Sequence, residues 1–133
     1  MDFIDTYLTT LAQSVSALSR DDLRKVCDAL MVAWREERTI FLIGNGGSAA
    51  TASHMMNDLN KLTITPGKRR FRAIALTDNM PLVTAWGNDV SFSVSFAEPL
   101  RNFMRPGDYV IAVSTSGNSP NIIKAVEAAF EIG

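Results

Sequence analysis

A chain of 133 residues, 47% of them apolar, has the size of a single domain with one hydrophobic core and is too apolar for disorder. Its formal charge of −1 supplies no basic field for nucleic acid or an anionic membrane surface. No apolar run approaches the ~20 residues that span a bilayer, and the opening MDFIDTYLTT is acidic where a signal peptide is basic, so the expected location is the cytoplasm.

The first segment, Asp2 to Leu18, places Phe3, Tyr7, Leu8, Leu11, Val15 and Leu18 at helical spacing. Ser19 reads as the N-cap of a second helix, with Asp21 and Asp22 in the first turn, where a helix favours negative charge. Leu23, Val26, Cys27, Leu30, Met31 and Trp34 share one face of it, so a helical hairpin over residues 1–38 is expected, with apolar faces available to another subunit. Cys27 is the single cysteine; it has no disulfide partner in the chain and reads as a buried core thiol.

From Thr39 the period changes. TIFLI (Thr39 to Ile43) is a short run of apolar, mostly branched residues and suits a strand buried on both faces. A Gly-rich turn and a helix from about Ser48 to Lys61 follow, then a second strand, FRAIAL (Phe71 to Leu76). Asn79 and Pro81 mark a turn before a short helix through Trp86. The spacing of Phe92, Phe96, Leu100 and Phe103 predicts one helix over 92–104. After the turn at Pro106, Gly107 and Asp108, YVIAVS (Tyr109 to Ser114) reads as a third buried strand, and Pro120 opens a last helix. The basic stretch Lys68 to Arg72 reads as the solvated entry to strand two.

Alternating strands and helices imply an α/β fold: a doubly wound parallel sheet between helical layers over residues 39–133, in one domain with the hairpin. The chain stops at Glu131 to Gly133 where a fourth strand would begin, so the expectation is half to two-thirds of a larger doubly wound domain, truncated at its C-terminus.

The chemistry concentrates in two loops, GNGGSAA (Gly44 to Ala50) and STSGNSPN (Ser114 to Asn121), each leading from a strand into a helix. Helix N-termini carry unpaired N–H groups and the positive end of the peptide dipoles, and so attract anions. Gly44, Gly46 and Gly47 let the backbone approach a ligand, and Ser48, Ser114, Thr115, Ser116 and Ser119 supply hydroxyl donors. If strands one and three are neighbours, in 2-1-3 order, the loops meet at the switch point where such sheets bind ligands. A dinucleotide-binding reading of Gly44, Gly46 and Ala49 ranks below this one. It expects an acidic residue about 20 positions on, whereas Asp78 comes 34 positions after Gly44.

His54, the only histidine, and Asp58 lie four apart on the helix after the first loop and project from one face. They read equally as an acid/base pair, as two ligands of a metal that needs more, or as a helix-surface pair.

With FLIGNGGSAATASHMMNDL, AIALTDN, AWGND and RPGDYVIAVSTSGNSPNIIKAVEAA in order along the whole chain, the sequence resembles the sugar isomerase (SIS) domain family, and within it the phosphoheptose isomerases. The resemblance implies an aldose–ketose isomerase acting on sedoheptulose 7-phosphate in heptose biosynthesis. It implies that Asn45, Gly46, Gly47 and Ser48 meet the substrate, that Ser114, Thr115, Ser116 and Ser119 hold the phosphate, and that Asp89 lines the sugar pocket. His54 falls at a position that binds zinc in some members, and Asp58 where the isomerases carry a glutamate as catalytic base and metal ligand. A homotetramer or dimer, with N-terminal helices in its core and sites between subunits, is implied too. The family's second histidine and its glutamine have no counterpart in this chain, and a non-catalytic relative that works through a replication-initiator protein is the alternative the resemblance offers.

Overall fold

The computed structural model describes residues 2–133; Met1 lies outside them. Two compact units divide at Val32/Ala33. The first holds α1 (Phe3–Ser16) and most of α2 (Arg20–Arg35). Asp2 caps α1 by accepting from the Asp5 N–H at 2.8 Å, and Ser19 caps α2 by accepting from the Asp22 N–H at 3.2 Å. α1 and α2 follow one another through residues 17–19, and α1 buries none of its residues. Cys27 is exposed rather than buried, because no element of its own unit covers its face of α2.

The second unit is the expected α/β core. β1 (Thr39–Gly44) pairs in parallel with β2 (Arg72–Ala75) on one side and β3 (Tyr109–Val113) on the other, giving the order β2-β1-β3. As the central strand, β1 buries Ile40 through Ile43 on both faces. Phe41 and Ile43 join Leu76, Phe96, Leu100, Met104, Ile122 and Ala125 in one apolar cluster with α5 (Ala97–Phe103) and α6 (Pro120–Ile132). Side chains alternate along a strand, so Ile40 and Leu42 turn to the other face. There α3 (Gly47–Asn57) packs across all three strands and buries Ala52. α3 runs directly into a π-helical turn, Asp58–Leu62, which buries Leu59. The Asn60 amide caps the free edge of β2 as a strand would, donating to the Ala73 carbonyl at 2.8 Å and accepting from its N–H at 3.0 Å.

Two expectations are corrected. β3 is only half-buried, since it forms a sheet edge. The helix expected over 92–104 is broken into a turn of 3-10 helix, Phe92–Val94, and α5. Pro99 lacks the N–H that a continuous helix would need to bond Ser95, so it sits in the first turn of α5, where that donor is not required. Only the inner half of the apolar stripe is therefore buried: Phe96 and Leu100 lie inside, whereas Phe92 and Phe103 are exposed. α4 (Met80–Trp86) is capped by Asn79, which accepts from the Leu82 N–H at 3.2 Å.

The basic stretch is tied to the end of α2. Trp34 Nε1 donates to the Arg69 carbonyl at 2.9 Å, and the Arg69 guanidinium lies 6.0 Å from the Trp34 ring centre and bonds the Arg35 carbonyl.

The tightest fit in the core is where β1 turns into α3. A Cβ on Gly44 would lie 2.5 Å from the Ser48 carbonyl oxygen and 2.6 Å from its carbon, so only glycine lets the helix start this close to the strand end. Gly44→Ala is expected to cost about 1–3 kcal/mol of unfolding free energy, measured by urea denaturation. A variant as stable as the parent would show that the helix start has room to move.

Candidate functional site: a hydroxyl-lined cleft at the switch point

Because β1 and β3 are neighbours and parallel, the loops at their C-terminal ends lie side by side. The first, Gly44–Gly46, enters α3 through Gly46, whose φ of 54° and ψ of −122° suit a residue without a Cβ. The second, residues 114–119, enters α6 through Ser119 and Pro120. It is braced from within: Ser114 Oγ accepts from the Gly117 N–H at 3.1 Å and Ser116 Oγ from the Asn118 N–H at 3.2 Å.

Between the loops is a cleft of about 160 Å³, lined by Asn45, Ser48, Ser114, Thr115, Ser116 and Ser119 over a floor of Val113. All six polar residues were expected at a binding site, and the fold brings them together. Gly47 is the first residue of α3, and a Cβ on Gly46 or Gly47 would meet nothing within 4 Å, which leaves the backbone there open to a ligand. The hydroxyls of Ser48, Thr115 and Ser119 make no hydrogen bond among the described residues, and those of Ser114 and Ser116 only accept, so all five can donate. No Lys or Arg side chain lines the cleft. Its attraction for an anion rests on hydroxyl and backbone donors and on the dipoles of two helices.

The capping pattern makes the same point. α1, α2 and α4 each begin under a side-chain cap, whereas α3 and α6, the helices at the cleft, have none; α5 is also uncapped. Ser119 is a residue type that caps helices, yet its hydroxyl stays free. Of the first-turn N–H groups, those of Ser48, Ala49 and Ile122 already bond the Asn45, Gly46 and Ser119 carbonyls and Pro120 has none, while the Gly47 N–H, which has no acceptor among the described residues, is left for a ligand.

The sequence did not single out what joins the two loops. Asn45 Nδ2 donates to Asn121 Oδ1 at 2.9 Å, and Asn121 Nδ2 donates back to Asn45 Oδ1 at 2.8 Å. Asn121 is 2% exposed and also reaches Ser95 Oγ at 3.5 Å, itself fully buried. The only signal in the sequence was an asparagine just after the helix-opening Pro120, where the apolar period gives it no distinct role.

Other expected residues lie elsewhere. His54 Nε2 and Asp58 Oδ2 are 3.3 Å apart, but the pair is exposed on the outer side of α3 and lines no part of the cleft. The pair gives a metal two donors. Among the described residues no third His, Cys, Asp or Glu joins them, short of the three or four that zinc takes, so the residues of this chain by themselves do not fit zinc. Asp89 borders a separate hollow of about 150 Å³ with Ala85, Trp86 and Val90, and accepts from Asn88 Nδ2 at 2.8 Å. Asp78, the acidic residue the dinucleotide reading needed, is bonded to Ser53 Oγ on α3.

Comparison with known proteins agrees with this geometry. The family model described as SIS domain matches residues 2–133. A probable phosphoheptose isomerase of Thermoplasma volcanium is 34% identical over 133 residues, which is 100% of this chain and 67% of that protein. The phosphoheptose isomerase of Chlorobaculum parvum is 33% identical over 128 residues, 96% of this chain and 61% of that one. The solved structure of phosphoheptose isomerase GmhA from Neisseria gonorrhoeae superposes with a TM-score of 0.82 at 30% identity, covering 98% of this chain and 71% of that one. The chain thus spans roughly two thirds of the length of these proteins.

Ser119→Ala separates a ligand hydroxyl from a helix cap. With no cap bond to lose, unfolding free energy should change by less than about 0.5 kcal/mol, while affinity for inorganic phosphate falls about tenfold by titration calorimetry. The reverse, lost stability with unchanged affinity, would make Ser119 an ordinary cap.

Proposed function

Since the chain belongs to the SIS domain family, we propose that it carries the phosphate-anchoring site of an aldose–ketose isomerase of the phosphoheptose isomerase type, acting on sedoheptulose 7-phosphate. The observation that carries this reading is the convergence of two uncapped helix N-termini and five donor hydroxyls on one cleft. Relatives named for the isomerase activity favour it over the partner-binding alternative.

The chemistry asks for two things. A proton must move between adjacent carbons: it leaves C1 of the ketose, an enediol forms as the C2 carbonyl oxygen is protonated, and a proton returns to C2 while the C1 hydroxyl loses its own. No outside oxidant or reductant enters. That transfer needs a base at the carbons and an acid at the oxygen. It also needs the sugar held still at its far end, which the cleft would do through the phosphate. His54 and Asp58, in contact at 3.3 Å, are the acid/base pair of the proposal. Asp89 lines the sugar-binding region in this reading. Zinc belongs to it only if further donors join His54 and Asp58, and no step above runs through a metal.

The pair is exposed, and so is the apolar stripe of α1, from Phe3 through Leu8 and Leu11 to Val15. A stripe of that size left in water marks an interface. The proposal therefore includes a homo-oligomer, dimer or tetramer, in the cytoplasm. Light scattering should give a mass above that of one chain, and the double substitution Leu8→Asp, Leu11→Asp should reduce it to the monomer. A parent that is already monomeric at working concentration would sink this part.

Binding is tested with sedoheptulose 7-phosphate against unphosphorylated sedoheptulose. At one hundred times its dissociation constant the phosphorylated sugar should stabilise the fold by about 2.7 kcal/mol, and the free sugar should not. Turnover is then sought as interconversion of ketose and aldose heptose phosphates. Asp58→Glu, which lengthens the base by one methylene to match the isomerases, should raise the rate by on the order of 10- to 100-fold. Binding with no turnover in either protein would leave a phosphosugar-binding module and refute the isomerase.

A further inference from the structure

We propose that Asn121 is a positioning residue of the cleft, one that sets phosphate affinity through Asn45 without touching the ligand. This deepens the phosphate-site reading and rests on it.

Asn121 is 2% exposed and sits in the first turn of α6, next to Ile122 of the main apolar cluster. Burying an amide there is unfavourable unless its groups are paired, and an apolar residue would fill the place without that cost. Its pairing is specific. The reciprocal bonds of 2.9 and 2.8 Å form a closed amide–amide ring with Asn45, across 76 positions of sequence. A single hydrogen bond fixes a distance but leaves rotation free. Two in a ring fix distance and orientation together.

The ring joins the parts that must be fixed. Asn45 lies in the loop that opens α3 and lines the cleft; Asn121 belongs to α6 and stays off the lining. Both helices point uncapped N-termini at the same cleft, so their positive ends repel one another when no anion lies between them. Spacing of the two donor sets decides whether one phosphate can meet both. The same Asn121 Nδ2 also donates to the buried Ser95 Oγ at a long 3.5 Å, so its second hydrogen has an acceptor as well.

The test compares inorganic phosphate binding by the full chain and by two variants, using titration calorimetry, with circular dichroism to establish that each is folded. Asn121→Leu removes the ring and keeps the volume, and should bind phosphate about tenfold more weakly. Asn121→Asp guards against a Leu variant that fails to fold. A protonated carboxyl can donate to Asn45 Oδ1 and accept from Nδ2, rebuilding the ring, whereas a carboxylate can only accept. Burial raises the pKa of such a carboxyl. Relative to the parent at the same pH, Asn121→Asp should bind nearly as well at about pH 5 and at least about tenfold more weakly at about pH 8. A general structural defect would not give this pH profile in affinity while the variant stays folded.

Folded variants that match the parent at both pH values overturn the positioning role and leave the phosphate site standing. A parent that binds neither inorganic phosphate nor sedoheptulose 7-phosphate overturns the site reading, and this inference falls with it.

Discussion

The site depends on β1 being the middle strand of a parallel trio. A central parallel strand is buried on both faces, so its sequence has to be a continuous apolar run, and Ile40 to Ile43 are at most 1% exposed. The crossovers from β1 to β2 and from β2 to β3 then leave on opposite faces, with α3 on one side and α5 and α6 on the other. The loops after β1 and β3 are adjacent in space although about 70 residues separate them in sequence. A cleft between these loops follows from strand order alone. What the sequence adds is which side chains face it, and Gly44 is what lets α3 begin close enough to close one wall.

Placing two helix N-termini side by side has an electrostatic consequence. The partial positive charge at each end is worth a few tenths to about 1 kcal/mol to a nearby anion, and the two ends repel in its absence. At α1, α2 and α4 such ends are neutralised locally, by Asp2, Ser19 and Asn79. At the cleft they are not, and no basic side chain competes for the ligand. Two like-signed ends side by side are a mildly unfavourable arrangement, which the surroundings must enforce. The bonds within the second loop and the amide ring between Asn45 and Asn121 supply that enforcement. A donor set fixed in advance loses little entropy when the anion arrives.

How much of this was legible in the sequence depends on whether the feature is local. The strand at Thr39, the Ser19 cap, Pro120 at a helix start and the Ser/Gly loops are local signals, and each appears where it was read. Strand order was conditional in the sequence, yet the loops it was invoked to join do meet. The misreadings share a cause. Cys27 as a buried thiol and the single helix over 92–104 were both inferred from apolar spacing, which reports that a face is apolar but not what covers it. Pro99 broke the last of these, and its missing N–H was visible in the sequence. The Asn45–Asn121 ring could not be read, because a buried amide has no periodic signature and its partner lies 76 residues away.

The phosphate cleft and the His54–Asp58 pair differ in how complete they are, and that difference bears on where the chemistry would occur. Every group lining the cleft comes from one compact unit. The acid/base pair is the opposite case. It sits on the outer side of α3, with His54 77% and Asp58 38% exposed, and Asp58 also accepts from Asn57 Nδ2 at 3.4 Å. Solvent screens the pair, and no pocket among the described residues has both side chains in its lining. The apolar stripe of α1 is likewise unfinished, since a helix that buries nothing is not stabilised by its own domain. In the proposed homo-oligomer a second copy of the chain would answer both. An assembly that covers α1 removes the exposed stripe, and a neighbouring subunit laid against α3 would exclude water from the pair and close the sugar end of the site. In the proposed assembly, anchoring would fall to the single chain and proton transfer to the subunits together.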